Sequence, residues 1–341
     1  MNILLTSVGR RAYMVKYFQQ ALQGDGAVHV CNSEPTNAFY YADFSTISPL
    51  IYSDEYIPFL LRYCEEKQID VLLSLFDIDL LVLSQNKSQF ESIGTKVIVS
   101  DEEVVAFCND KWKTFQFLKK NQFYTPRTYI SLESVEQAIR NEELSFPIII
   151  KPRFGCGSLS IAMAFEMEDL IFLTKRAERE IGNSYLKYES QSSEQRLIFQ
   201  EYLQGQEYGA DIINDFNAKN QGVVLRKKIA MRAGETDIAQ IVTDKSIEKE
   251  LCRLGELSGH IGNMDCDIFL VNGHPYILEL NARFGGGYPF SHVAGCNLPK
   301  AILLWCKGET VPKASLQAKP GTFAYKELNI LSINNNDEEK N

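Results

Sequence analysis

Short apolar strands alternate with amphipathic helices in the N-terminal part of the chain, and this alternation constrains the fold more than any other feature. The segment from Ile3 to Ser7 is apolar and ends near Gly9, and apolar residues at helical spacing follow from Arg11 to Leu22. Short apolar strands then recur at Val28 to Cys31, Val71 to Leu75 and Lys96 to Val99. Strands that alternate with helices predict a doubly wound parallel sheet.

A different pattern begins after Pro126, which interrupts the alternation and predicts a crossover into a second unit. An apolar strand from Phe146 to Pro152 leads into the loop Arg153 to Ser158, and a second strand follows from Leu159 to Phe165. This order indicates an antiparallel lid and not another crossover unit. From Leu197 the chain has several consecutive strands with few helices, which predicts an α+β arrangement.

Composition excludes several classes of function. The 35 basic and 44 acidic residues give a net charge of −9, which argues against a protein that binds nucleic acid backbones. The eight cysteines form no C-x-x-C pair, so neither a zinc knuckle nor a disulfide scaffold is indicated. No apolar run approaches the roughly 18 residues of a membrane span, and the first residues lack a signal-peptide pattern. We therefore expect a cytoplasmic protein that binds neither nucleic acid nor membrane.

Three polar residues, Glu279, Asn281 and Arg283, alternate along the end of an apolar strand and precede Phe284 and a run of three glycines. The two-residue period of a strand points all three side chains to the same face. Carboxylate and amide oxygens suit Mg²⁺, and arginine adds a fork of donors for phosphoryl oxygens. The alternative is a strand end with one surface ion pair.

A hairpin adds a further carboxylate to this motif. Asp267 begins an apolar strand, the turn from Asn272 to Pro275 follows, and Glu279 lies on the returning strand. The hairpin register can place Asp267 beside Glu279. Two adjacent carboxylates repel each other unless a cation lies between them, which favours a metal site.

Lys151 ends a run of three isoleucines, at the edge of an apolar layer. A buried ammonium needs a partner, and either a nucleotide phosphate or a structural salt bridge would serve. The small residues from Gly155 to Ser158 come next, and such a loop can close over a polyphosphate through its backbone N–H groups. An ordinary hairpin is the alternative for the loop.

Two other segments carry groups that a nucleotide requires. The backbone of Gln200, Glu201, Tyr202 and Leu203 can bind an adenine edge, and the Glu207 carboxylate can accept hydrogen bonds from ribose, although a plain surface loop would look similar. The strand from Leu225 to Arg232 is basic in an acidic protein. It can neutralise phosphates or form a solvated face, through Arg226, Lys228 and Arg232.

Taken in order, these motifs resemble the ATP-grasp superfamily, and most closely a short, single-module relative of the carbamoyl-phosphate synthase large chain. The residues that carry the resemblance are Lys111, Lys151-Pro152, Gly157-Ser158, Glu201 to Glu207, Arg232, Asp267, and Glu279-x-Asn281-x-Arg283. The resemblance implies an N-terminal doubly wound parallel-sheet domain, followed by an ATP-grasp fold of two α+β subdomains. The implied bounds are 1–108 for the pre-ATP-grasp domain, 109–195 for the lid subdomain, 196–333 for the C-terminal subdomain with its Mg²⁺ site, and 334–341 for a polar tail.

The resemblance also implies a role for each matching residue. Arg283 is implied to steady the transferred phosphoryl group, with Lys151 and Arg232 as further catalytic residues, and Asp267, Glu279 and Asn281 are implied to bind Mg²⁺ or Mn²⁺. The implied ATP-binding residues are Lys111, Lys151, Gly157, Ser158, Gln200, Glu201, Tyr202, Leu203, Glu207, Lys228, Met231 and Arg232. The chain departs from the synthase at Asp267, where the synthase has glutamine, and in having one module instead of two.

The implied activity is that of an ATP- and Mg²⁺-dependent ligase, which joins a small-molecule carboxylate to an amine or a thiol through an acyl phosphate. The alternative is an ATP-binding subunit, a split carbamoyl-phosphate-synthase-type module, that completes or regulates a partner enzyme and has no activity alone. A homodimer is also implied. The sequence does not identify the acid or the nucleophile.

Candidates for the acceptor site come from residues outside these motifs. Arg10 and Arg11 follow the first strand and can anchor an anion or begin a solvated helix. Asp77 and Asp79 can bind an ammonium group, although helix capping is the favoured interpretation. Glu235 and His292 can also face a substrate, and a structural role is favoured for the histidine.

Overall fold

Three β-sheets follow one another along the chain in the computed structural model, which describes residues 1–155, 159–190, 193–328 and 330–332. The first sheet has five strands, the second has four and the third has six. The expected order of a parallel-sheet unit followed by two α+β units is confirmed, whereas the exact domain bounds stay a prediction.

The N-terminal sheet is parallel, with strand order β3-β2-β1-β4-β5. Its strands are β1 (Ile3–Thr6), β2 (Val28–Asn32), β3 (Phe44–Ile47), β4 (Val71–Ser74) and β5 (Lys96–Val97). The helices of this part of the chain are α1 (Ala12–Leu22), α2 (Tyr56–Glu66), α3 (Asp77–Gln85), α4 (Lys87–Ser92) and α5 (Glu102–Asn109).

The central strand is apolar throughout because both of its faces are covered. Ile3 and Leu5 pack into one core with Phe18 of α1, while Leu4 packs into a second core with Leu60 of α2. Strands that are buried on both faces show no alternation, which is why β1 reads as a continuous apolar run.

The second sheet is antiparallel, with strand order β6-β9-β7-β8. Its strands are β6 (Thr128–Tyr129), β7 (Ile148–Pro152), β8 (Ala162–Ala164) and β9 (Leu197–Glu201), and the helices of this region are α6 (Lys111–Lys120), α7 (Leu132–Arg140), α8 (Met167–Gly182) and α9 (Leu186–Glu189). Ile148 and Ile150 form a separate core with Leu170 of α8, so this lid has its own hydrophobic interior.

The boundary predicted between residues 195 and 196 stays a prediction, but it separates β9 from the sheet in which β9 is paired. Residue 196 was expected to begin the C-terminal subdomain, but β9 pairs with β7, with Lys151 opposite Ile198. The backbone hydrogen bonds of β9 therefore belong to the lid sheet, and the polypeptide leaves the lid only after Glu201.

The third sheet is antiparallel, with strand order β14-β13-β10-β11-β12-β15. Its strands are β10 (Gln206–Asn214), β11 (Asn220–Arg232), β12 (Glu235–Val242), β13 (Gly262–Val271), β14 (His274–Asn281) and β15 (Phe323–Tyr325), and its helices are α10 (Lys245–Ser258), α11 (Tyr288–Val293) and α12 (Leu298–Cys306). Leu251 and Leu254 of α10 pack against Ile212 of β10 on one face. The opposite face carries polar side chains. Among the described residues, no helix is long and apolar enough to cross a membrane.

Candidate active site

The polar face of the third sheet holds a network of charges from three neighbouring strands, β10, β11 and β13. On β11, the buried Arg226 guanidinium pairs with Asp211 and, at 2.6 Å, with Asp265. Lys228 pairs with Glu207 and Asp267, both at 2.7 Å. These pairs join β11 to β10 and to β13, so the network spans the centre of the sheet.

Gly209 makes this network possible. It lies on β10 between β11 and β13, opposite Arg226 on one side and Asp267 on the other. A Cβ atom at this position would lie 3.0 Å from Arg226 Nε and 3.3 Å from Lys228 Cε. The missing side chain therefore lets both cations reach across β10 to the carboxylates of β13.

The predicted hairpin register is present. Asp267 of β13 lies opposite Glu279 of β14, and Asp265 lies opposite Asn281. Alternation along the two strands places all four side chains on the polar face.

A cavity of about 300 Å³ opens above this face, and its walls come from all three sheet-bearing parts of the chain. Eight predicted site residues line it, namely Lys111, Lys151, Lys228, Met231, Asp267, Glu279, Asn281 and Arg283. Phe76 and Arg11 close it from the N-terminal domain. The fold therefore brings most of the predicted nucleotide and metal residues to one place.

Two lysines from the lid side face the carboxylates. The Lys111 ammonium lies 3.5 Å from the Glu279 carboxylate. Lys151 is only 6% exposed, and burial lowers its pKa to about 8, although the Glu279 carboxylate opposes this effect. Among the described residues, its ammonium has neither a hydrogen-bond nor an ion-pair partner. An anionic ligand in the cavity would supply that partner.

Lys228 differs from Lys151 because its charge is already balanced. Burial alone would lower its pKa, but Asp267 and Glu207 outweigh burial and raise the pKa well above its ordinary value. The predicted ribose ligand Glu207 and the predicted metal ligand Asp267 are therefore both bound to Lys228 in this state.

The donor set on β13 and β14 fits Mg²⁺. Asp267 and Glu279 retain 33% and 22% of their side-chain exposure, so both carboxylates can be reached from the cavity. No group of three or more His, Cys, Asp or Glu in the described ranges is arranged to hold a metal alone. Mg²⁺ commonly takes one or two carboxylates and leaves its other positions to water and phosphate oxygens, so two carboxylates and the Asn281 amide are sufficient.

Arg283 is held by carboxylates from two parts of the chain. Its Nε and Nη2 atoms donate to Asp77 Oδ2 at 3.0 and 2.8 Å, and Nη1 donates to Asp265 at 3.2 Å. Asp77 lies in the first turn of α3, and its other oxygen, Oδ1, is buried without a hydrogen bond. The N-terminal domain thus fixes the orientation of the predicted catalytic arginine.

The capping role expected for Asp77 and Asp79 is wrong. Phe76 is the residue that precedes α3, and no side chain caps the helix. Asp79 is fully buried and instead accepts hydrogen bonds from Thr6 and Ser7 at 2.8 and 2.9 Å, and from Tyr56 and Ser74. The carboxylate therefore ties the carboxyl ends of β1 and β4 together.

Several predicted residues lie outside the cavity that Lys151 and Arg283 line. Gln200 is buried and donates to Thr128 Oγ1 at 2.9 Å, and Arg232 pairs with Asp237. Glu201, Tyr202 and Leu203 line a second cavity, of about 470 Å³, at the exit from β9. Gly157 and Ser158 lie outside the described residues, as do Cys156 and the predicted tail at 334–341.

His292 has a structural role, as expected. Its ring stacks on Tyr17 with 3.6 Å between centroids, and Nδ1 lies 3.2 Å from the Tyr288 hydroxyl. Burial lowers its pKa to about 4, so the ring is neutral near pH 7.

Sequence reasoning missed Asp265, although one signal was available. Asp265 precedes Asp267 by two residues on the same strand, so the alternation that selected Asp267 also selects Asp265. Asp211 carried no such signal because it lies inside an apolar strand that belongs to no predicted motif.

Comparison with known proteins agrees with this geometry. Residues 108–287, more than half of the chain, match the model of the ATP-grasp domain. The chain belongs to the ATP-grasp family. The predicted resemblance is thus confirmed. Residues 3–98 match a second model, described as a PylC-like N-terminal domain.

Individual relatives of this ATP-grasp chain are distant. It is similar to the carbamoyl phosphate synthase large chain of Pyrococcus furiosus, with 23% identity over 223 residues, which is 62% of this chain and 20% of the relative. The chain therefore spans about a fifth of the length of this curated relative.

Solved structures show the same fold. One is the biotin carboxylase domain dimer of Hydrogenobacter thermophilus 2-oxoglutarate carboxylase, in complex with MgADP, ADP and bicarbonate. Its TM-score is 0.73 at 15% sequence identity, and the match covers 94% of this chain and 73% of that chain. Another is the N5-carboxyaminoimidazole synthetase of Staphylococcus aureus, complexed with ADP. Its TM-score is 0.69 at 19% sequence identity, and the match covers 91% of this chain and 78% of that chain. At these identities the likeness establishes the fold alone.

Proposed function

We propose that this protein is an ATP- and Mg²⁺-dependent ligase that activates a carboxylate as an acyl phosphate and transfers the acyl group to an amine or a thiol. One observation carries the proposal: a single cavity brings together Lys111 and Lys151 from the lid side, the Asp267, Glu279 and Asn281 oxygens, and the Arg283 guanidinium. These are a phosphate-binding pair, a metal donor set and a clamp for the transferred group.

The positions of two lysines support a polyphosphate site on the lid side of the cavity. Lys151 lacks a partner among the described residues, and Lys111 faces it across the Glu279 carboxylate. Phosphate oxygens between the two ammonium groups would give Lys151 a partner and would add a further one to Lys111, which already contacts Glu279 and the Gly155 carbonyl. Gly157 and Ser158 would be further phosphate ligands, and the backbone from Gln200 to Leu203 would bind adenine.

Asp267, Glu279 and Asn281 would hold the Mg²⁺. When bound there, the ion neutralises phosphate charge and orients the phosphate chain for in-line transfer. Lys228 would then have Glu207 as its remaining partner, because Asp267 would turn toward the ion.

The reaction balances without any further reagent. A carboxylate oxygen of the acid attacks the γ-phosphorus, the bond to the β–γ bridging oxygen breaks, and ADP leaves with that electron pair. Arg283 stabilises the charge on the transferred group. The nucleophile then attacks the acyl carbon, phosphate leaves with the electron pair of the acyl C–O bond, and the nucleophile releases its proton to water.

The direct test incubates the protein with ATP, Mg²⁺, hydroxylamine and a panel of amino and hydroxy acids. We expect acid-dependent formation of ADP and hydroxamate, lost in Glu279→Ala and retained in Glu178→Ala, since Glu178 is an exposed residue of the lid helix α8. No product above the Glu279→Ala background with any acid would contradict the proposal. ATP-dependent thermal stabilisation with turnover only after a second protein is added would support the partner-subunit alternative.

A further inference from the structure

The cavity continues past Arg283 to an end that neither the nucleotide nor the metal ion occupies in the proposed function. Arg11, Glu235, Thr236 and Gly286 form this end. It lies next to the place where a carboxylate must meet the γ-phosphate, because Arg11 and Arg283 both donate to the carbonyl of Phe284, at 2.9 and 3.4 Å.

Arg11 is fixed in place but its charge is not balanced. Its Nη1 atom donates to the carbonyls of Leu75 and Phe284. Within the described ranges, its Nε and Nη2 atoms have no hydrogen-bond partner, and no carboxylate pairs with the guanidinium. A planar guanidinium held through one nitrogen presents its remaining edge to a ligand, and that edge matches the two oxygens of a carboxylate.

Glu235 supplies the opposite charge at the same end. Its Oε2 atom pairs with Lys326 at 3.0 Å, and 58% of its side chain is exposed. Its Oε1 atom accepts no hydrogen bond from the described residues. Thr236 also lines this end of the cavity.

The charges around Glu235 keep it ionised. Burial would raise its pKa, but the hydrogen bond and charge of Lys326, together with Arg11 and Arg10, outweigh burial and hold the pKa below its ordinary value. Glu235 is the anion at this end, and Lys326 is the only cation that pairs with it in the described residues.

Gly286 keeps the space beside Glu235 open. A Cβ atom at this position would lie 3.7 Å from the Glu235 carboxylate and 3.8 Å from Lys326 Nζ, which is ordinary contact distance. The two flanking glycines differ, because a Cβ on Gly285 would overlap Asp265 and one on Gly287 would overlap Arg226. Of these three glycines, Gly286 is the one at which a Cβ atom would overlap no neighbour.

We propose that this end is the acceptor subsite and that the acid it takes is an amino acid, with Arg11 binding the carboxylate and Glu235 binding the ammonium group. The inference rests on the proposed function and specifies its substrate class. The free edge of the Arg11 guanidinium and the Oε1 atom of Glu235 have no other hydrogen-bond partner among the described residues, and together they complement a molecule that carries one anionic and one cationic group. A dicarboxylate would place its second charge against Glu235.

The test compares amino acids with the same acids lacking the amino group, such as alanine with propionate and norleucine with hexanoate. We expect a kcat/KM for ADP formation about 10- to 100-fold higher for the amino forms, the range of a charge-assisted hydrogen bond. Glu235→Gln should abolish that preference, and Glu178→Gln should keep it. Arg11→Gln should raise the KM of the acid without changing the KM of ATP, whereas Arg62→Gln should change neither, since Arg62 is exposed on α2 and does not line the cavity.

Calorimetric titration of the MgADP complex with the same acids separates this inference from the proposed function. Amino acid binding that is weakened in Glu235→Gln supports the subsite even if no acid is turned over, a result that would overturn only the ligase proposal. Equal use of alanine and propionate, with no effect of Glu235→Gln, would overturn the subsite while the ligase proposal stands. Preference for dicarboxylates, or no binding of any amino acid, would also overturn it.

Discussion

Replacing Lys151 by methionine should stabilise the protein while weakening its binding of ATP. Methionine keeps a similar length and removes the charge from a site that is 6% exposed. In the folded state the pKa of Lys151 is about 8, compared with 10.5 for an ordinary lysine. At ~1.4 kcal/mol per unit of pKa, the buried charge costs about 3 kcal/mol of folding free energy.

The sign of this effect sets its pH dependence. Below pH 8 the lysine is protonated in both states, so the cost is fully present. Between pH 8 and 10.5 the folded state has released its proton while the unfolded state still holds one, so stability of the wild-type protein rises with pH. The advantage of Lys151→Met should therefore be about 3 kcal/mol at pH 7 and should shrink across this window.

Urea unfolding without nucleotide or Mg²⁺ measures the difference, with Lys249→Met as a control because Lys249 is exposed on α10. Calorimetry in two buffers of different ionisation enthalpy measures proton uptake when ATP binds. Since a phosphate would return the pKa of Lys151 toward its ordinary value, wild-type protein at pH 8 should take up as much as about half a proton more than Lys151→Met. A variant less stable than wild type at pH 7, or a stability difference independent of pH, would refute the reasoning.

Three further predictions concern the site and its support. Arg283→Lys should lower kcat about 100-fold with little change in the KM of ATP, because a donor to the transferred phosphoryl group is lost. Steady-state kinetics would measure both constants, and a change confined to KM would contradict the prediction. Gly287→Ala should lower the free energy of unfolding by about 1 to 3 kcal/mol because a Cβ atom would overlap Arg226. Gly286→Ala meets no such contact and should unfold at the wild-type urea midpoint. Equal midpoints for the two variants would be inconsistent with the packing. His260 is fully buried, and burial lowers its pKa to about 4, so between pH 6.5 and 4 the unfolded state binds a proton that the folded state does not. The free energy of unfolding should therefore fall by about 2 to 3 kcal/mol as pH falls through that window, which urea unfolding at several pH values would measure. A free energy of unfolding that does not change with pH would argue against a neutral buried ring.

Local pattern was enough to predict how residues share a face or a hairpin. Alternation and a recognisable turn determined that Asp267, Glu279 and Asn281 lie together, and the observed register agrees. The same local rules predicted the parallel N-terminal sheet, except for β3. That strand lies at the sheet edge with Phe44 and Ile47 exposed, so its sequence has no buried face to reveal it.

Partners that are distant in sequence could not be predicted because they depend on strand order and domain packing. Lys228 reaches Asp267 only because β10, with Gly209, lies between β11 and β13. The sequence allows Arg226 either to neutralise phosphates or to belong to a solvated face, whereas in the structure it is buried and paired with Asp211 and Asp265. Its charge supports the sheet and is not available to a nucleotide.

The contact between Asp77 and Arg283 illustrates the same limit. The two residues are 206 positions apart, and they meet because the N-terminal domain packs against the end of β14. Nothing in the sequence near Asp77 indicates that contact. The N-terminal domain therefore contributes to the candidate active site in a way that motif order alone does not show.

Isotope transfer from the acid to the released phosphate tests the central claim most directly. An acid labelled with ¹⁸O in its carboxylate is turned over in unlabelled water with ATP and Mg²⁺, and the phosphate is analysed by mass spectrometry. Attack of the carboxylate on the γ-phosphorus predicts one ¹⁸O atom in each phosphate formed with product. Unlabelled phosphate, or formation of AMP and pyrophosphate, would contradict the account.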